Sequence, residues 1–324
     1  MLTAFVQLGG GETQKLTDPA AVADIWQAGD ARLWIDLEEP QETELRAIGE
    51  VFRLDNEALE DCLHGEQHPR IDEFDDYIFM VVYGMMGEQS ETDFEPRKLA
   101  VFCGPRFLIT VHREGLRTIT GVRSRCERNG AQVLGKGLDF VIYAIIDGMV
   151  DNYMVVAEVY EDRLDALEDA SLDPDVDDDI LTLVRDLRWD LLDLRRLTSS
   201  QLQILTPLIS GEYEFIGEAL ERRFAHVRDH LAKVVSHLEN MRELLHGVQD
   251  NYHAMLSDRM NRVMKTLTVL ATIMLPLSVI TGIYGMNVPL QPAPDRPATF
   301  WGIIGLMGVI VAISLVIFRK RRWL

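Results

Sequence analysis

The stretch NRVMKTLTVLATIMLPLSVITGIYGMN, residues 261–287, decides how the rest of the chain is read. Arg259, Arg262 and Lys265 stand at its head, and no residue from Thr266 through Pro294 is charged. A run of this kind reads as a membrane helix. Pro289, Pro292 and Pro294 predict that the helix stops near Gly285, which gives a span at 266–285 and a loop at 286–299. A second uncharged run covers 297–318, 22 residues. At about 1.5 Å per residue it reaches roughly 33 Å, enough for the hydrocarbon core; the second span is placed at 300–318. Arg319-Lys320-Arg321-Arg322 open a basic tail at 319–324, whereas the loop holds only Asp295 and Arg296. The positive-inside rule then predicts a multi-pass protein of the cytoplasmic (inner) membrane, with both termini in the cytoplasm and the loop outside. The opening MLTAFVQLGGGETQ shows neither the basic region nor the apolar core of a secretory signal.

Upstream of the first span, Leu220, Phe224, Val227, Leu231, Val234, Leu238, Met241, Leu245, Val248, Tyr252 and Met255 alternate at spacings of four and three. A 3.5-residue repeat of this length marks a long helix packed along one seam. A stalk helix is therefore expected over 211–265, running into the first span as a rod of roughly 90–100 Å. Further upstream, Ile180, Val184, Leu187, Leu191 and Leu194 repeat the spacing, and 138–210 reads as a helical hairpin. Residues 1–137 instead alternate short strand signals (RLWIDL, YIFMVVY, KLAVFC, RFLITV) with amphipathic stretches at 41–52 and 114–126. That is the pattern of an α/β domain.

Charge follows the same division. From residue 259 onward there are 8 basic residues and 1 acidic; the remainder has 24 basic against 51 acidic, a balance of −27. A domain so acidic repels phosphate, which argues against nucleic acid as a partner, and it attracts cations. Cys62, Cys103 and Cys126 have no metal-ligand spacing and are expected to stay reduced.

Several local patterns carry little. GAQVLGKG (130–137) has the glycine and lysine spacing of a phosphate loop but lacks the hydroxyl residue that would hold Mg²⁺. DPDVDDD (173–179) has Asp178 where a calcium loop needs glycine, and reads as an acidic helix start. CLHGEQH (62–68) reads as a polar connector. His226 and His230, four apart on one helical face, have a spacing able to chelate a transition metal, although a polar stripe beside the seam accounts for them as well. In the first span, Asn261, Met264, Thr268, Ala271, Leu275, Ser278 and Gly282 keep the 3–4 spacing on a smaller, more polar face. Such a face suits close packing of membrane helices or the lining of a pore.

The quartet Tyr284-Gly285-Met286-Asn287 after a first membrane helix, with a second helix and a basic end, resembles the CorA family of divalent-cation channels. LWIDLEEPQETELRAIGEVFRLDNEALEDCL (33–63) is similar to the family's N-terminal block, and the likeness runs along nearly the whole chain. It implies a funnel-shaped homopentamer around a central pore. Carried over by position, the pore-facing residues are Asn261, Met264, Leu267, Ala271, Leu275, Ser278 and Gly282. Leu267 replaces Thr268 of the polar face in this set and is taken as the constriction, and the resemblance makes Gly285, Met286 and Asn287 the selectivity filter. A ring of Asn287 carboxamides would bind the water shell that Mg²⁺ gives up reluctantly, without holding the ion too tightly to release it. The resemblance also implies a regulatory metal site at Glu88 and His226, where a histidine favours a softer ion. The expected cargo is Mg²⁺, with Co²⁺, Ni²⁺ or Zn²⁺ as further candidates; no cofactor is expected. Two other readings stay open. One is the zinc-transporting branch of the same family, against which Met286 argues. The other is a membrane-anchored coiled-coil scaffold, which leaves the polar face unexplained. No nucleophile–base pattern supports an enzyme.

Overall fold

The structure is a computed structural model that describes residues 1–8, 13–29, 31–63, 68–86, 94–173, 179–286, 297–321 and 323. The chain divides into two compact units, Met1–Asp169 with Asp178–Gly247, and Ala170–Asp177 with Val248–Leu324.

The first unit is built on a seven-stranded sheet of β1 (Leu2–Gln7), β2 (Thr13–Leu16), β3 (Arg32–Glu38), β4 (Arg70–Glu73), β5 (Ile78–Met86), β6 (Glu95–Cys103) and β7 (Phe107–His112), in the order β2-β1-β3-β7-β6-β5-β4. Two antiparallel runs, β2-β1-β3 and β4-β5-β6-β7, meet at the parallel pair β3–β7. Side chains alternate across the pleat. Leu33, Ile35 and Leu37 of β3, with Phe107, Ile109 and Val111 of β7, join a buried cluster that includes Val22, Leu45, Ile48, Phe52 and Leu59. These last five come from α1 (Pro19–Ala28), α2 (Glu42–Phe52) and α3 (Asn56–Leu63). Helices α2 and α3 approach closely at Gly49, where an added Cβ would lie 2.4 Å from Leu59 Cδ1.

The opposite face is polar at its centre. Asp36, fully buried, accepts hydrogen bonds from Thr110 Oγ1 (2.6 Å) and from Arg123 (3.2 Å), the latter on α4 (Arg117–Arg128). A short helical turn, α5 (Gly130–Val133), and a 3-10 turn at Leu134–Lys136 follow. The glycine-rich segment is therefore helical. A Cβ at Gly130 would meet Thr13, and Lys136 lies over the Phe140 ring at 4.4 Å, so no phosphate cradle forms there.

Three long helices complete the account: α6 (Leu138–Ser171), α7 (Ile180–Ile204) and α8 (Glu218–Tyr284). The 3–4 seam is buried at every position from Leu220 to Tyr252. Where α6, α7 and α8 adjoin within the first unit, Tyr143 meets Phe224 edge-on at 5.8 Å, and Arg195 donates to Glu239 at 2.6 Å. The stalk helix starts at Glu218, not at 211; Gly211 has a left-handed φ of 74° that a continuing helix does not allow. All three cysteines are free and buried, and the Cys62 thiol donates to Ala58 O, away from His68 beside Arg196.

The second unit contains the rest of α8 and α9 (Pro297–Lys320). By length and composition three helices could cross a membrane, α6, α8 and the Phe300–Lys320 part of α9. The apolar window of α6 is 56% buried within the protein, whereas those of α8 and α9 are 0% buried. Core packing accounts for α6, and the two C-terminal segments are left for lipid.

Candidate functional site

Helix α8 carries the residues read from the sequence as pore-facing. Asn261, Met264, Leu267, Ala271, Leu275, Ser278 and Gly282 all lie on it and are all exposed, Leu275 at 68% and Leu267 at 59%. An added Cβ at Gly282 would meet nothing within 4 Å, so this face is open in the single chain. Thr268, the residue of the polar phase that Leu267 replaces in the pore-facing set, turns its hydroxyl back onto the helix and donates to Met264 O at 2.7 Å. Thr266 and Thr281 do the same to Arg262 O and Leu277 O, both at 3.0 Å. These hydroxyls are satisfied within the helix and need no ion or water to explain them.

The helix ends as the sequence leads one to expect. Tyr284 is its last residue, Gly285 N–H donates to Thr281 O at 2.9 Å, and Met286 N–H to Ile283 O at 3.3 Å. A Cβ at Gly285 would sit 2.9 Å from the Thr281 carbonyl oxygen, so glycine suits this turn. One feature is missing from the sequence reading: Pro276 lies inside α8. Proline has no N–H, so the Thr272 carbonyl loses its helical partner midway along the apolar segment.

Asn287 and Glu88, the expected filter asparagine and one half of the expected regulatory pair, lie outside the described residues. His226 and His230 are exposed on α8. Asp147 on α6 is held above the ordinary carboxylate range, chiefly by burial and next by the charge of Asp151, with His230 among the groups acting in the opposite sense. His237 lies 3.2 Å from Glu161, a polar partner for a further member of the histidine stripe. Among the described residues no group of three or more His, Cys, Asp or Glu side chains is placed to hold a metal ion.

Fold and helix face together define a class: an α/β domain joined by a long helix to apolar C-terminal helices with one small, polar, uncovered face. Residues 29–320 match the family described as CorA-like Mg2+ transporter protein, and the chain belongs to that family. It is accordingly a metal-ion transporter and not an enzyme. YfjQ of Bacillus subtilis is 31% identical over 299 residues, 92% of each chain. The cobalt/magnesium transport protein CorA of Thermotoga maritima is 28% identical over 292 residues, 90% of this chain and 83% of that one. Among solved structures, the complete CorA magnesium transporter from Methanocaldococcus jannaschii superposes with a TM-score of 0.84 at 24% identity, covering 99% of this chain and 98% of the other.

Proposed function

We propose that the chain is the subunit of a homopentameric channel through which Mg²⁺, and with it Co²⁺ or Ni²⁺, enters the cytosol across the cytoplasmic membrane, and that cytosolic divalent cation closes it. The observation that carries this reading is the uncovered face of α8, small and polar at 3–4 spacing, which ends in the Gly285 turn just before Asn287. Five such faces around an axis would line a narrow path. Asn287 would hydrogen-bond the water shell of the entering ion, and the chain has no carboxylate in the triplet to trap it. Met264 and Leu267 would form the apolar narrow part, where a pore closes by expelling water. The membrane potential supplies the inward drive, about 2.3 kcal/mol per elementary charge per 100 mV.

One observation favours a second reading. His226 and His230 present imidazoles on the same exposed stretch of α8, which suits a borderline metal such as Zn²⁺ better than Mg²⁺. Ion flux into proteoliposomes containing the purified full-length protein separates the two. Uptake of Mg²⁺ and Co²⁺ exceeding that of Zn²⁺ supports the magnesium channel, and the reverse order assigns the zinc-transporting branch. No flux of any of the three through a well-assembled oligomer would leave the scaffold reading.

A further inference from the structure

The polar face of the sheet contains a group that the transport reading does not use. His112 ends β7, and its side chain is 2% exposed. Its two ring nitrogens each face an acceptor: Nδ1 lies 2.8 Å from the carbonyl oxygen of Glu114, and Nε2 lies 3.2 Å from Asp36 Oδ1. A backbone carbonyl can only accept, so Nδ1 must donate. Nε2 must then donate as well, unless Asp36 is itself protonated.

The surroundings of Asp36 speak against that. Trp34 Nε1 can only donate, and it donates to Thr110 Oγ1 at 3.2 Å. The Thr110 hydroxyl donates to Asp36 Oδ1 at 2.6 Å, a shorter contact than its alternative acceptor, Ile35 O at 3.4 Å. Arg123 occupies Oδ2 at 3.2 Å and also reaches Glu38 Oε2 and Thr3 Oγ1, each at 3.2 Å. Both carboxylate oxygens thus receive donors, as an ionised group requires. The charged groups about Asp36 and Glu38 of β3 are Arg123 of α4 and the Met1 amino group, which donates to the Glu38 carbonyl; the Glu114 carboxylate is turned to Arg97, at 2.8 Å.

We propose that His112 is a buried imidazolium whose proton fastens the parallel β3–β7 seam and the docked α4, so that the cytosolic domain is locked at neutral pH and loosens when the cytosol turns alkaline. Burial alone would lower the imidazole pKa, but the hydrogen bond and charge of Asp36, the Glu114 carbonyl and the charge of Glu38 outweigh it and raise it above its ordinary 6.5. A raised folded value means stabilisation that is fully present below 6.5 and is lost as pH rises through the folded pKa. From α4 the contact chain continues to α6, where Thr118 receives a hydrogen bond from Asn152 at 3.3 Å.

The test uses the full-length protein in lipid, labelled with ¹⁵N-histidine and followed by solid-state NMR as pH rises. The difference from the His112→Gln spectrum identifies the resonance. The expected result is a doubly protonated ring at about pH 7, losing its proton only at higher pH than a free imidazole. A neutral tautomer at neutral pH overturns the proposal. Hydrogen exchange in β7 and α4, corrected for intrinsic rates, should accelerate severalfold at alkaline pH in wild type and not in His112→Gln; equal pH dependence in both also overturns it. If that variant does not fold, Asp36→Asn serves instead. It should lower the pH at which the His112 proton leaves by at least about one unit, a tenfold change in proton affinity, and an unchanged midpoint rules the proposal out.

Discussion

The two halves of α8 share one periodicity and meet opposite fates. From Leu220 to Tyr252 the residues at 3–4 spacing are buried by the chain's own helices; from Asn261 to Gly282 the residues at the same spacing are exposed. In the first half the face consists of large apolar side chains, each contributing roughly 1.5–3 kcal/mol when removed from water. In the second it is built of Ala271, Ser278 and Gly282 beside Leu267 and Leu275, among neighbours that are apolar all round the helix. The difference teaches that periodicity identifies a face but not its occupant. Side-chain size and polarity decide whether a face is filled by the same chain or left for lipid, water, ions or further copies.

The largest effect expected from breaking this comparison is at the end of the second half. On the proposed reading, Asn287→Ala should abolish Mg²⁺ uptake in proteoliposomes while the oligomer keeps its mass in detergent, because a ligand for the hydrated ion would be lost. Near wild-type uptake would sink the filter assignment. Next comes the stability contrast. Phe224→Ala, at a ring that is 0% exposed, should cost about 3–5 kcal/mol in denaturant unfolding of the unit that holds the sheet. Leu275→Ala, 68% exposed in the single chain and outside that unit, should leave the same unfolding transition within about 0.5 kcal/mol of wild type. Equal costs would show that the two halves are packed alike after all.

A third experiment sharpens the reading of the open face. Leu267→Asp should wet the proposed narrow part and raise Mg²⁺ leak when the cytosolic side is already rich in Mg²⁺. Normal closure in this variant would place the gate elsewhere. The smallest effect concerns regulation. Replacing Glu88 and His226 together with alanine should raise, by a few-fold, the Mg²⁺ concentration that protects the acidic N-terminal part from proteolysis, since other acidic groups of residues 1–258, with a balance of −27, still contribute. Unchanged protection would exonerate this pair, and a Zn²⁺ advantage lost in the double variant would identify the site as soft.

The helical part was the most legible in the sequence, because a 3.5-residue repeat over ten buried positions leaves little freedom of interpretation. Four strands with apolar, β-branched or aromatic runs were legible too, β3, β5, β6 and β7; β1, LTAFVQ, is as buried but was not among them. Both edge strands escaped notice for a physical reason. β2 reads TQKL and β4 reads RIDE, short and polar as edges are when they discourage further pairing. The start of α1 was written in Asp18-Pro19, where the Asp18 carboxylate accepts from Ala20 N–H beside a proline at the first turn. Helix α3 is likewise capped by Asp55, which accepts from Glu57 N–H at 2.8 Å, but its eight residues are too few and too polar to show a period. The Asp36–His112 contact could not have been found. The two residues stand 76 apart, and they meet only because β3 and β7 run parallel.

That parallel seam also sets a timetable. The run β2-β1-β3 is complete once residue 38 has been made, but its free edge waits for a strand that begins at residue 107. At about 5–20 residues per second the ribosome needs roughly 3–14 s to supply the intervening stretch. For that interval, β3 offers Leu33, Trp34, Ile35 and Leu37 along an unpaired edge, the kind of edge that recruits other chains. Nascent chains arrested with β7 still inside the ribosome should therefore bind holdase chaperones through residues 32–38, and chains arrested after β7 has emerged should not. Equal binding at both lengths would mean that another element covers the edge first. The seam that fastens the finished domain closes only with β7, the last strand to be made.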